Sequence, residues 1–208
     1  MWFARRLLAA RRKEGKSEGD ELFRWWTAVY FCGSGLSGLI GGVVHAFYVD
    51  ETTAGFHVLW PFVHLFLGMA SFGTLPIGSF LVGHSDATIR RLQIVAIAGL
   101  VVYEMVVVGL IWKFYVAIMA YLPGTAWVCC AYAVFALRER CAKAWFGALA
   151  MAMLWLASAT QIMRITVHPK YFTHNTLYHT IIMVHLVLLY AGADAVLSRK
   201  ARSRRKDL

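Results

Sequence analysis

The sequence predicts an all-α, polytopic membrane bundle of six transmembrane helices with both termini on the same side. Three observations predict it. Of 208 residues, 60% are hydrophobic and only 15% charged, too little polar surface for a soluble domain of this size. The mean hydropathy is +0.59, and the apolar residues fall into six runs of about 20, the length that spans a bilayer core. The net charge of +10 is concentrated at the termini and in two short loops, which points to membrane topology rather than nucleic acid. The chain has room for one such domain.

The elements follow in order. Residues 1–22 form a basic arm in which Arg5, Arg6, Arg11 and Arg12 interrupt any apolar run, so no signal-peptide h-region exists. Its apolar set is Trp2, Phe3, Leu7 and Leu8, and it carries no acid before Glu14. It reads as an interfacial helix or cytosolic arm, or else as a mitochondrial presequence; the Ser/Thr enrichment of a presequence is missing. The transmembrane domain covers 23–197, with spans at 25–48, 57–83, 92–112, 114–137, 144–165 and 176–197. Lys113 alone separates the third span from the fourth, and Arg138-Glu139-Arg140 breaks the fourth from the fifth. Pro76 and Pro123 are expected to kink the second and fourth spans. Trp25, Trp26, Trp60, Trp112, Tyr121, Trp145 and Tyr171 flank spans and read as an aromatic belt. Residues 198–208 are a basic tail.

With six spans, 18 of the 21 lysines and arginines share the side of the termini, and only Lys113, Arg164 and Lys170 face the other. This is the asymmetry of the positive-inside rule. A missed or extra span would scramble it. Both termini are thus expected on the cytosolic side, or on the matrix or stromal side of an organelle.

The first span is rich in small residues: Gly33, Ser34, Gly35, Ser37, Gly38, Gly41 and Gly42. Gly38 and Gly42 form a GxxxG, which lets two helix backbones approach closely. That helix is expected either at the centre of the bundle or at a subunit interface. Cys32, Cys129, Cys130 and Cys141 form no disulfide framework and read as reduced thiols.

Ionisable groups at bilayer depth are costly and point to function. His45 lies in Gly41-Gly42-Val43-Val44-His45, near the exoplasmic end of the first span. His174 and His179 lie in His174-Asn175-Thr176-Leu177-Tyr178-His179, at the exoplasmic start of the last. The topology puts all three at one depth. Five residues apart on a helix is about 140°, a poor angle for one metal. Asn175, however, is a good N-cap for a helix starting at Thr176, which would leave His174 free to fold back beside His179. Three neutral imidazoles and a water would then make an open zinc site; otherwise the three are histidines hydrogen-bonded to backbone or lipid headgroups near the interface. Glu104, beside Tyr103, is the one carboxylate in the middle of a span. Its candidate partners are Arg164, His64, His185 and Gln161, and its role is a general base, a proton relay or a buried interhelical staple. Asp50 and Glu51 are loop carboxylates that either orient an imidazole or stay solvated. His64 and His185 read as packing or interhelical hydrogen-bond groups. No P-loop, dinucleotide fingerprint, CxxC or GxSxG is present.

The two histidine patches together resemble the CREST superfamily, which includes the alkaline ceramidases and the progestin/adipoQ receptors. The enzymes there are seven-helix membrane hydrolases with a buried zinc, and their pattern is Ser-x-x-x-His early, an Asp soon after, and His-x-x-x-His in the last helix. The resemblance implies His45, His174 and His179 as ligands. The chain departs from that pattern: Gly41 stands where the serine is expected, with Ser37 one turn further back, Asp50 follows at a shorter spacing, and the late histidines are separated by four residues. Glu104, Asp50 and Ser37 are the candidates for a catalytic role.

Two functions follow. One is a zinc-dependent hydrolase acting on a lipid amide or ester at the bilayer, active or degenerate. The other is a non-catalytic subunit of a membrane complex, meeting partner proteins through the glycine-rich helix and the basic termini. A channel or transporter is a third reading, resting on Glu104 and the prolines. The terminal Arg205-Lys206 resembles an endoplasmic-reticulum retrieval signal; endoplasmic reticulum or Golgi and the mitochondrial inner membrane both stay open.

Overall fold

The structure is a computed structural model that describes residues 2–9, 18–48, 50–109 and 113–204. Seven α-helices carry the described chain: α1 Trp2–Ala9, α2 Glu18–Phe47, α3 Ala54–Val82, α4 Asp86–Gly109, α5 Phe114–Arg138, α6 Trp145–Ile162 and α7 His174–Arg204. A 3-10 turn, Ala142–Ala144, leads into α6. The one extended pairing among the described residues is an isolated bridge between His168 and Phe172.

Among the described residues five helices are long and apolar enough to cross a membrane: α2, α3, α5, α6 with its lead-in turn, and α7. α4 is 24 residues long but opens with Asp86, Arg90 and Arg91, and its apolar part runs on toward 110–112, where the expected end of the third span and Trp112 lie outside the described residues. Its surface is nevertheless apolar, exposing Ile94, Val95, Val101, Val102 and Met105. Polar side chains are turned inward instead: His64, Ser71, Thr74, Ser79, Thr125, Ser158, Thr160 and His185 are all buried. Apolar outside and polar inside is the arrangement that lipid permits and water does not.

The chain divides into two compact units, Met1–Ile77 with Ser85–Gly124, and Gly78–His84 with Thr125–Leu208. The divisions fall just after Pro76 and Pro123, both of which stay inside unbroken helices, as does Pro61.

In the first unit α1 packs on α2. Phe3 meets Phe31 with ring centroids 5.4 Å apart, and Arg24 Nη1 donates to the Leu7 carbonyl at 3.2 Å. Ala4 and Leu7 are buried, while Arg5 and Arg6 face out. The rest of the arm, 10–17, lies outside the described residues. α2 starts at Glu18, seven residues before the expected span. Glu18, Asp20 and Glu21 in its first turn complement the helix dipole and sustain the extension. Its inward face carries Trp26, Tyr30, Gly33, Ser37 and Val44, all buried. Gly33 lets α2 touch α3: a Cβ there would stand 2.5 Å from the Phe66 carbonyl oxygen and 3.1 Å from the Ala70 nitrogen. Both obstacles are backbone, so Gly33→Ala is expected to cost about 1–3 kcal/mol as overpacking. A thermal-unfolding midpoint in detergent equal to that of the wild type would contradict this contact.

In the second unit α3 ends at Gly83, whose φ of +86° is the left-handed C-cap that favours glycine. Arg138 Nη1 donates to the Val82 carbonyl at 2.8 Å and satisfies that helix end. α5 ends similarly, with the Cys141 N–H returning to the Ala136 carbonyl at 2.9 Å. α7 runs seven residues past the expected Leu197 into the basic tail. Arg199, Lys200 and Arg202 suit a helix C-terminus, and Lys200 Nζ lies 3.7 Å from the centre of the Phe80 ring. Arg205-Lys206 lies outside the described residues.

The belt reading needs correction. Trp25, Trp145 and Tyr171 are exposed, but Trp26, Trp60 and Tyr121 are buried within the units. A tryptophan near a span end satisfies the sequence pattern of a belt whichever way it faces, so the pattern alone could not separate the two.

Candidate functional site

Inside the first unit, Tyr103 meets His64, and Glu104 lies beside Tyr103 against the same stretch of α3. His64 lies on α3, one turn before Gly68, and Tyr103 and Glu104 lie on α4. His64 is 1% exposed, and its Nδ1 is 3.1 Å from the Tyr103 hydroxyl. Its Nε2 is buried with no hydrogen-bond partner among the described residues, and so is Glu104 Oε1. Gly68 makes the meeting possible. A Cβ on Gly68 would stand 2.9 Å from both Glu104 Oε1 and Tyr103 Cε1, and 2.8 Å from Leu100 Cδ1. The two α4 side chains therefore straddle one point on the α3 backbone. Around them the packing is apolar: Tyr103, Val107 and Ala117 form one cluster, and Val44, Phe56, Trp60 and Val63 form another. Of the partners expected for Glu104, His64 shares its unit, and Tyr103 links to it. Arg164, Gln161 and His185 belong to the second unit and are engaged there or exposed: Gln161 Nε2 donates to Asn175 Oδ1 at 2.9 Å, His185 Nδ1 donates to the Ala150 carbonyl at 2.7 Å, and Arg164 is solvent-facing. Sequence reasoning missed Gly68. Its spacing of one turn from His64 was the available signal.

The expected ligand residues sit at helix ends. His45 is in the last turn of α2, exposed, with its ring edge-on to Trp60 at a centroid distance of 6.2 Å. Trp60 in turn meets His64 edge-on at 5.5 Å. Ser37 is buried on the inward face of α2, eight residues before His45, so about 12 Å separates them along the axis. Asp50 is held as a turn former: the Thr52 N–H and hydroxyl donate to Oδ1 at 2.9 and 2.8 Å. Those bonds hold its carboxyl below the usual range, the backbone one contributing most. Thr53 then caps α3 through the Phe56 N–H at 3.3 Å. Glu51 pairs with Lys113 at 3.6 Å, both exposed, a contact of little energetic weight.

At the other end the expected cap is corrected. α7 begins at His174, so Asn175 is already inside the helix, bonded to Gln161. The N-cap is Thr173, whose Oγ1 accepts from the Thr176 N–H at 3.5 Å while its carbonyl accepts from Leu177 at 2.9 Å. A threonine three residues before the first free N–H satisfies it directly. His174 and His179 therefore share one helix about 140° apart, and His174 does not fold back. Among the described residues no three His, Cys, Asp or Glu side chains group as a metal site would. The four cysteines are free thiols.

Long apolar helices, an apolar exterior and a polar interior define a multi-pass helical membrane protein. The chain belongs to DUF6962, a family of unknown function that matches residues 1–198. No curated protein and no solved structure matches it.

Proposed function

We propose that the chain is a six-span membrane protein, with both termini on the cytosolic or matrix side, that serves as a non-catalytic subunit of a membrane complex and docks through α2. One observation carries this reading. Gly35, Gly38 and Gly42 have nothing within 4 Å of where a side chain would begin, and they share the outward face of α2 with exposed Leu39 and Val43. On the inward face, Gly33 is pressed against α3. One glycine run thus serves two faces, one filled within the chain and one open. In lipid, such a face attracts another transmembrane helix carrying small residues, because close backbone approach is the main gain available there. The charge asymmetry supports the six-span count and the sidedness. The test is the mass of the particle extracted gently from native membranes: a complex larger than one chain is expected, and a lone chain in its detergent belt would contradict it.

The second reading is the metal-dependent lipid hydrolase of the CREST resemblance. Its favouring observation is that His45, His174 and His179 all sit within two turns of a helix end. It predicts about one zinc per chain, lost in His179→Ala; metal analysis of purified protein showing zinc at neither level counts against it. Fractionation separates endoplasmic reticulum or Golgi from the mitochondrial inner membrane.

A further inference from the structure

We propose that the α3–α4 contact at Gly68 is an intramembrane proton-binding site, in which Glu104 takes up an exchangeable proton beside the His64–Tyr103 hydrogen bond.

The argument rests on placement. Glu104 lies 18 residues into α4 from Asp86, and His64 lies 18 residues before the end of α3 at Val82. The two helices run antiparallel through the turn at 83–85, so the two groups stand level, and Glu104 lies about 20 Å along α4 beyond Arg91, the last charged residue before it, within the apolar stretch. Two buried polar atoms there, His64 Nε2 and Glu104 Oε1, have no hydrogen-bond partner among the described residues, although buried polar groups are otherwise nearly always satisfied. Two donor atoms are too few for a divalent metal, and the Leu100 and Tyr103 side chains crowd the same point. A proton is the ligand that fits.

Tyr103 makes two protonation states tolerable. With His64 neutral and its proton on Nε2, Nδ1 accepts from the Tyr103 hydroxyl. With His64 an imidazolium, Nδ1–H donates to the same oxygen. A hydroxyl both donates and accepts, so the 3.1 Å contact survives either state. Uptake forms an O–H bond on the Glu104 carboxylate. Release breaks that bond and returns the proton to water, with no redox change. The surroundings bring few competing charges. From α2, His45 stands across Trp60 and Tyr48 packs in the neighbouring cluster. From α5 the packing groups are Phe114, Val116, Ala117 and Ala120. On the loop, Lys113 is paired with Glu51.

The full chain in nanodiscs is titrated while the infrared carbonyl stretch of a protonated carboxyl is followed. A band that appears on acidification and is absent in Glu104→Gln is expected. Its midpoint is expected to move by about tenfold in proton concentration in both His64→Gln and Tyr103→Phe, with helicity by circular dichroism unchanged in Tyr103→Phe. No Glu104-dependent band at any pH, or a midpoint that ignores both substitutions, overturns the proposal. If His64→Gln fails to fold, Tyr103→Phe alone decides, because it removes one oxygen and keeps the ring. The titration is done on single chains, so its failure leaves the assembly reading untouched.

Discussion

Gly192→Leu is expected to take apart the α6–α7 pair and leave little folded protein in detergent. α7 crosses α6 at a glycine on each side: a Cβ on Gly192 would stand 2.6 Å from the Gly147 nitrogen and 2.8 Å from its Cα. Neither is a side chain that can rotate away. Gly147 has no room to retreat, because its own Cβ position is filled by the Tyr132 ring, which is fully buried. Overpacking a core usually costs about 1–3 kcal/mol, and a backbone-on-backbone clash sits at or above the upper end. The readout is the thermal-unfolding midpoint together with yield after size-exclusion. Gly35→Leu is the matched control, since nothing lies within 4 Å there, and it is expected to unfold as the wild type does. Equal midpoints for wild type and Gly192→Leu would mean that the helices do not cross where the structure puts them.

Gly38→Leu is expected to do the opposite: to leave the folded chain intact and break the complex. Among the described residues nothing lies within 4 Å of a Cβ at Gly38, so the substitution meets no backbone obstacle of the kind found at Gly33 and Gly192. It does fill the groove that a partner helix would enter. Association is expected to weaken at least about tenfold, equivalent to 1.4 kcal/mol, with the unfolding midpoint unchanged. Gly42→Leu should behave in the same way, and Gly33→Leu should not, because it fails by unfolding first. A loss of stability in Gly38→Leu as large as in Gly192→Leu would show that the face is filled by the chain itself.

Much of the fold was legible because charge and hydropathy bracket the helices. α5 starts at the residue next to Lys113 and ends at Arg138, as the sequence implies. α2 and α7 extend beyond their apolar spans for one shared reason. A charged residue stops an apolar run but not a helix, and acids at an N-terminus or cations at a C-terminus extend it. The cap of α7 was misplaced because Thr173 and Asn175 are both good caps, and only the contact of Asn175 with Gln161 separates them. The candidate site was half legible. Glu104 stands out as a lone carboxylate, and His64 was among its possible partners. Nothing in the sequence ranks His64 above His185, which is just as buried but spends its Nδ1–H on the Ala150 carbonyl. The expectation for His174 rested on a free segment before α7, and the helix starts too early to leave one.

Site-specific cross-linking at position 38 tests the central claim most directly. A photoreactive residue or a cysteine is placed there, the latter in a chain lacking the four native cysteines, and the reaction is run in native membranes. The open face predicts a product whose mass equals this chain plus a second membrane polypeptide, either another copy or a different one, as the mass will show. A cysteine at position 37, on the buried inward face of α2, should give no intermolecular product. A chain that reacts only with lipid at position 38 and runs at its own mass would contradict the account.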